Sequence, residues 1–194
     1  MTQNNRFTPP LMLKNPHIQS ILNSLGPRKI RANRQAKKLD SEILTLTAKD
    51  GTRLLAEYDR SKAPNNSLII LLHGWEGSSK SAYQVTTANY LLRQGFDVLR
   101  LNLRDHGDSH HLNFELFNST MTQEVAEAIA CFFETHPYEK RFLAGFSLGG
   151  NFTLRIAADH GTSLKLTAAA GICPPVDPTN AMTALDNTLF FYER

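Results

Sequence analysis

The chain has 194 residues, of which 41% are hydrophobic and 20% charged, and its formal net charge is +3. These values are typical of one soluble globular domain and exclude a disordered chain. Two cysteines, Cys131 and Cys173, provide no disulfide framework and no paired metal ligands, which favours a reducing compartment. The first residues lack the apolar core of a signal peptide, and the longest apolar run is too short to cross a bilayer. We therefore expect a cytoplasmic protein.

Residues 1–39 are predicted to form an irregular N-terminal arm with one short helix over residues 17–25. Basic residues cluster in this arm without an intervening acid: Arg28, Lys29, Arg31, Arg34, Lys37 and Lys38. Such a cluster either contacts an anionic partner, such as a membrane surface or nucleic acid, or forms a solvated connecting segment. No aromatic residue interleaves with the charges, so a stacking surface for nucleic acid is not supported. We favour the solvated segment, and a peripheral membrane contact has no further support.

Residues 40–178 are predicted to form an α/β core. It opens with a β-hairpin, because residues 43–47 alternate in polarity and Asp50-Gly51 sets a turn before a second strand at 53–58. Further strands are predicted at 67–72, 96–102, 141–144 and 164–170. Three predicted helices alternate with these strands. The first covers residues 79–93, the second opens with a capping box at Thr120 and stops before Pro137, and the third covers residues 148–160. This alternation predicts a mostly parallel sheet with helices on both faces and an antiparallel hairpin at its edge.

Residues 179–194 are predicted to begin a lid, with a helix over 181–192. Three aromatic residues near the end of the chain either belong to that lid or serve simple packing: Phe190, Phe191 and Tyr192. Packing is the more common role of aromatic residues on a terminal helix.

The most specific motif is Gly145-Phe146-Ser147-Leu148-Gly149, which lies between a predicted strand and a predicted helix. It matches the G-x-S-x-G pattern of a nucleophile elbow, a strained turn that exposes the serine hydroxyl above the sheet. The two glycines leave room for neighbouring backbone. The N–H groups that open the following helix favour a developing negative charge. Ser147 is therefore the candidate nucleophile.

A second loop, His73-Gly74-Trp75-Glu76-Gly77-Ser78, follows the apolar strand at the sheet edge where such folds bind ligands. We expect the N–H of Trp75 to meet the N–H of Leu148 and to form an oxyanion hole. The alternative is a glycine turn that only leads into a helix. Further residues are expected to line the site: His73, Gly74, His106, Gly145, Phe146 and Gly149.

The loop over residues 102–111 is rich in histidine and aspartate, which raises the hypothesis of a metal site. No pair of these residues has the i, i+4 spacing of a zinc-binding helix, so a hydrogen-bonded turn is favoured. The sequence thus predicts no metal and no cofactor.

The ordered motifs resemble those of the α/β-hydrolase superfamily over nearly the whole chain. They are His73-Gly74, Asn102-x-Arg104-x-x-Gly107-x-Ser109 and Gly145-x-Ser147-x-Gly149-Gly150-Asn151. Within the superfamily, the chain is most similar to the YheT-like branch of esterases. That branch carries Asn15-Pro16-His17-Ile18-Gln19-Ser20-Ile21-Leu22 and Arg104-Asp105-His106-Gly107-Asp108-Ser109 as they stand here. The resemblance implies the α/β-hydrolase fold, with its last strands missing, and a Ser–Asp–His triad that hydrolyses small-molecule carboxylic esters.

The family places its catalytic acid and histidine after later strands. The only histidine that follows Ser147 is His160, and a rise of about 1.5 Å per residue along the intervening helix separates the two by roughly 20 Å. His160 is therefore excluded as the general base. His73 and His106 lie at the correct end, although the family uses them structurally. Asp177 is either an orienting acid or, as we favour, a residue of a proline-rich turn.

Two functional hypotheses follow. In the first, the chain is a truncated serine esterase in which Ser147 acts as nucleophile and the triad acid and histidine are absent. In the second, it is a catalytically inactive hydrolase-like module that binds a ligand or partner. The first requires fewer assumptions.

Overall fold

The computed structural model describes residues 8–15, 18 and 27–186 of the chain. These residues contain a six-stranded sheet of order β1-β2-β4-β3-β5-β6. The strands are β1 (Glu42–Thr47), β2 (Arg53–Asp59), β3 (Ser67–Leu72), β4 (Asp97–Leu101), β5 (Lys140–Phe146) and β6 (Ala168–Ile172). The α-helices are α1 (Pro27–Ala36), α2 (Ala82–Arg93), α3 (Thr122–Thr135), α4 (Leu148–His160) and α5 (Pro178–Asp186). Short 3-10 turns occur at Leu11–Leu13 and Gly107–Ser109.

Strand β3 explains why the sheet is covered on both faces. Its even-numbered residues, including Leu68 and Ile70, pack with α3 and α4 in the larger core. Leu71 instead packs with Ala88 of α2 and Val98 of β4 on the other face. Because strand side chains alternate between faces, a strand that is apolar throughout must be buried on both sides. The continuous run in β3 therefore places it in the centre of a helix–sheet–helix sandwich.

The pairing of the strands confirms the predicted α/β-hydrolase topology. β1 and β2 form an antiparallel hairpin whose turn includes Gly51, at a φ of 88°. β2 pairs antiparallel with β4, whereas β4, β3, β5 and β6 run parallel to one another. The carboxyl ends of these four strands consequently lie along one edge of the sheet. The loops that follow them are brought together there.

Helix α1 corrects the prediction of an irregular arm. It packs against α2, with Ala32 buried, and carries exposed cations that include Arg31 and Arg34. Proline at the first helical position and a run of strong helix formers account for it. The solvated segment expected here is thus partly a solvated helix face. The predicted helix over residues 17–25 lies, apart from Ile18, outside the described residues.

Three elements begin two to four residues later than predicted. α2 begins at Ala82 rather than Ser79 because Ser79 is buried and hydrogen-bonded to the loop after β4. α3 begins at Thr122 without a side-chain cap, since the Thr120 hydroxyl donates to Asn118 instead of closing a capping box. β6 begins at Ala168, because Leu164 is buried in the turn after α4 and its N–H donates to the His160 carbonyl.

Helix α5 runs over Pro178–Asp186 and so begins three residues before the predicted start at 181, and the remainder of the predicted lid helix lies outside the described residues. The described part of the chain has no helix with the length and apolarity that a membrane span requires.

Candidate active site

Ser147 occupies the sharp turn between β5 and α4. Its φ of 51° and ψ of −119° are strained for a residue with a β-carbon. Its N–H donates to the carbonyl of Ile172 at 2.9 Å, and its carbonyl accepts the N–H of Asn151 at 3.1 Å. The residue is exposed, and its hydroxyl does not cap the helix that follows. The main chain is thus fixed from both sides while the hydroxyl faces solvent.

The two glycines of the motif permit this turn because neither has room for a side chain. A β-carbon on Gly145 would stand 2.5 Å from Oγ1 of Thr153, and one on Gly149 would stand 2.6 Å from the carbonyl oxygen of Leu72. Real β-carbons essentially never come so close to such atoms. The absence of side chains therefore allows α4 to start directly above β5 and beside the end of β3.

The loop after β3 lies against Ser147. A β-carbon on Gly74 would be 3.2 Å from Cβ of Ser147 and 3.3 Å from the carbonyl oxygen of Phe146. The Gly74 N–H donates to Oη of Tyr83 at 3.0 Å. Within the described residues, neither the N–H of Trp75 nor that of Leu148 donates a hydrogen bond. The loop and the start of α4 therefore each contribute an unpaired backbone donor beside the serine.

His73 has no exposed surface and holds two loops together. Its Nδ1 bonds the Gly74 carbonyl at 2.7 Å, and its Nε2 accepts the N–H of Leu103 at 3.0 Å. The pKa of His73 is lowered to about 4, chiefly because the ring is buried; the bond to Gly74 opposes this shift and the neighbouring His106 adds to it. The ring is neutral at pH 7 and both of its nitrogens are occupied. His73 is therefore not available as a base for Ser147.

His106 is also buried, and its Nδ1 lies 2.7 Å from the Arg104 carbonyl oxygen. Its ring centroid is 5.0 Å from that of His73 and 4.8 Å from that of Phe117, in an edge-to-face arrangement with the phenylalanine. Phe117 in turn stacks on Phe152 of α4. His106 thus joins the loop after β4 to the helix that begins after Ser147.

Several other polar side chains of the 102–111 loop bind one another or the body of the protein. Asp105 accepts a contact from Nδ1 of His110 at 2.6 Å, and Asp108 pairs with Lys80 at 2.5 Å. Asn102 accepts the Ser79 N–H at 2.7 Å. No group of three or more metal-ligating side chains is found in the part of the chain that the structure covers. These contacts are those of a hydrogen-bonded turn.

A buried ion network that the motifs do not identify supports the loop after β3. Arg100 is 1% exposed, lies 2.9 Å from Asp59 and 2.8 Å from Glu57, and donates to the Ser79 carbonyl at 2.7 Å. The Ser79 hydroxyl also donates to Glu57 at 3.0 Å. An arginine inside an apolar strand, opposite a strand with two carboxylates, is the sequence signal that could have revealed it.

His160 and Asp177 lie where they have local roles. His160 is the last residue of α4, one full 13-residue helix away from Ser147. Asp177 accepts hydrogen bonds from the N–H of Asn180 at 3.2 Å and from its side-chain amide at 2.6 Å. This is the arrangement expected of a turn residue that precedes α5.

Comparison with known proteins adds the family context. The sequence profile of the family described as alpha/beta hydrolase fold matches residues 67–192. The chain is 31% identical over 122 residues to "Medium-chain fatty acid ethyl ester synthase/esterase 2" of Saccharomyces cerevisiae, covering 62% of this chain and 27% of that protein. It is 21% identical over 169 residues to "Putative esterase YheT" of Escherichia coli, covering 87% of this chain and 48% of that protein.

Solved structures show the same fold. The esterase Pf2001 of Pyrococcus furiosus superimposes with a TM-score of 0.67 at 18% identity, covering 79% of this chain and 58% of that one. XC6422 of Xanthomonas campestris, described as an α/β serine hydrolase without lid, gives a TM-score of 0.60 at 26% identity, covering 71% and 62%. The chain spans 27% and 48% of the lengths of the two relatives from yeast and Escherichia coli.

Proposed function

This chain belongs to the α/β-hydrolase-fold family, and from that premise we propose that it carries the nucleophile of a carboxylic ester hydrolase of the esterase or lipase type. The observation that carries the proposal is the backbone of Ser147. Its φ of 51° combined with a ψ of −119° lies outside the left-handed helical region that non-glycine residues can adopt, so the surrounding structure must enforce it. Its exposed hydroxyl stands next to the loop after β3, as a nucleophile elbow requires.

The proposed oxyanion hole consists of the Trp75 and Leu148 N–H groups. It is supported by the lack of any acceptor for either group among the described residues. Leu148 is also the first residue of α4, where the helix dipole favours negative charge. Two such donors would stabilise the oxygen of a tetrahedral intermediate, and each typically contributes about 3 kcal/mol in the transition state.

The reaction would proceed through an acyl-enzyme. The Ser147 oxygen forms a bond to the ester carbonyl carbon as its proton passes to a general base, and the alcohol leaves with that proton. Water then attacks the acyl group and regenerates the serine. We propose that the base and its orienting acid lie outside the described residues. His73 is fully hydrogen-bonded, His160 is too distant, and His106 is buried with its Nδ1 on the Arg104 carbonyl and its ring against Phe117.

The experiment that tests this function is acylation of Ser147. The chain is incubated with 4-nitrophenyl acetate, with and without free imidazole as a substitute base, and the acetyl group is located by peptide mass spectrometry. We expect slow acetylation at Ser147 that imidazole accelerates. Ser119→Ala, which removes another exposed hydroxyl, should behave like the parent, whereas Ser147→Ala should show only the reaction of imidazole in solution.

The outcomes separate the two hypotheses. Equal ester cleavage by Ser147→Ala and the parent would exclude the serine mechanism. A parent that stays unmodified even with imidazole would favour the inactive hydrolase-like binding module. Rapid turnover that depends on Ser147 but needs no imidazole would show that a base is present in the chain after all.

A further inference from the structure

Tyr83 stands inside the loop that carries Trp75, although it belongs to α2. Its Oη accepts the Gly74 N–H at 3.0 Å, and its ring centroid lies 4.9 Å from that of Phe146, the residue before Ser147. A β-carbon on Gly77 would be 2.6 Å from the same Oη. The tyrosine hydroxyl therefore fills the interior of the loop between Gly74 and Gly77.

The bonds of Gly74 determine the direction of the Trp75 N–H. The Gly74 carbonyl is bonded by Nδ1 of His73 at 2.7 Å and by the Gly77 N–H at 3.0 Å. Carbonyl and N–H point in opposite directions across a planar trans peptide, so a fixed Gly74 carbonyl directs the Trp75 N–H away from the loop interior. Tyr83 fixes the preceding peptide through the Gly74 N–H. Both peptide planes that flank Gly74 are thereby held.

We propose that Tyr83 is a positioning residue that orients the Trp75 N–H toward the oxygen of a substrate bound at Ser147. This inference rests on the proposed function and adds to it a residue that the G-x-S-x-G and His-Gly motifs do not contain. Tyr83 acts through Gly74 rather than on the reacting atoms. A phenylalanine at this position would keep the packing against Phe146 and leave the Gly74 N–H without its acceptor.

The first test is independent of catalysis. Amide hydrogen exchange at Gly74 and Trp75 is followed by NMR in the parent, in Tyr83→Phe and in Tyr90→Phe, which removes an exposed hydroxyl from the same helix. Loss of one hydrogen bond should accelerate exchange at Gly74 by about tenfold in Tyr83→Phe only. Unchanged exchange at Gly74 in that variant would overturn the proposal.

The second test separates positioning from packing. In the Ser147 acylation assay, Tyr83→Phe should lower the maximal acylation rate by about tenfold or more and leave the half-saturating ester concentration unchanged. Faster exchange at Gly74 in Tyr83→Phe together with an unchanged maximal acylation rate would also overturn the proposal that Tyr83 positions the Trp75 N–H. If the parent is not acylated at all, the proposed function fails, and the exchange at Gly74 alone decides whether Tyr83 holds the loop.

Discussion

Gly149 packs directly against the end of β3, so that a β-carbon on Gly149 would stand 2.6 Å from the carbonyl oxygen of Leu72. Leu72 is the last residue of β3, and the loop that begins at His73 follows it. The contact sets the distance between that loop and α4. The spacing of the two candidate oxyanion donors thus depends on a position where only hydrogen fits.

Gly149→Ala should therefore be strongly destabilising. Because the atoms next to Gly149 belong to backbone rather than to flexible side chains, the helix must shift away from β3. We expect the free energy of unfolding to fall by about 3 kcal/mol or more, in the range of severe overpacking. Urea denaturation followed by circular dichroism measures the change.

Gly51→Ala is the matched control for that substitution. Gly51 has a φ of 88°, and a β-carbon added there would meet no atom within 4 Å, so only the strain of its backbone conformation opposes alanine. A loss of about 1 kcal/mol is expected. Gly149 lies within α4 and has no positive φ, so backbone strain does not act there. A loss in Gly149→Ala no larger than that in Gly51→Ala would contradict the view that the contact with Leu72 requires glycine.

His73 should make the protein less stable in acid. Its pKa is about 4 in the folded protein, against 6.5 for an unperturbed histidine, so the unfolded chain binds a proton first as the pH falls. The contribution of the neutral His73 to the free energy of unfolding is complete above pH 6.5. It is lost as the pH falls from 6.5 to about 4, by about 3 kcal/mol in total. Urea denaturation between pH 7 and pH 4 measures the slope, which should be shallower in His73→Gln. The same slope in both proteins would contradict the assignment.

The buried pair of Arg104 and Glu124 offers a test of stability at the loop after β4. Their side chains are 7% and 6% exposed and lie 2.5 Å apart, whereas Glu115, the other carboxylate on Arg104, is 76% exposed. Glu124→Gln should lower the free energy of unfolding by about 3 kcal/mol, because it leaves a buried guanidinium undercompensated. Glu115→Gln should cost less than about 1 kcal/mol. Comparable losses in the two variants, measured by urea denaturation, would contradict this ranking.

Gln84 should be replaceable with a gain in stability. It is fully buried in α2, and neither its amide oxygen nor its nitrogen has a hydrogen-bond partner among the described residues. Gln84→Met keeps the shape of the side chain and removes a buried amide that lacks partners, which should raise the free energy of unfolding by about 1 kcal/mol. The same change at exposed Gln94 should be neutral. A loss of stability in Gln84→Met would show that the amide has a partner after all.

The order of strands and helices could be predicted from the sequence because the spacing of apolar residues and the turns that glycine permits depend only on neighbouring residues. Strand β3 and helix α4 have the predicted bounds, 67–72 and 148–160, residue for residue. Boundaries failed where a tertiary contact competed with local preference. Ser79 resembles the start of a helix, but the network around Arg100 holds it in the loop, and Leu164 resembles a strand residue but is buried in a turn.

The elbow motif and the ordered loops were sufficient to predict which fold this chain adopts and which serine its turn exposes, since both follow from short-range sterics around glycine and from the alternation of strands and helices. Residues far apart in the chain decide which histidine nitrogens are free, which side chain holds Gly74 and which charges surround Arg100. Only the packing of β2, β4, α2 and the loops against one another decided those contacts, because a hydrogen bond between distant residues leaves no periodic mark on the sequence.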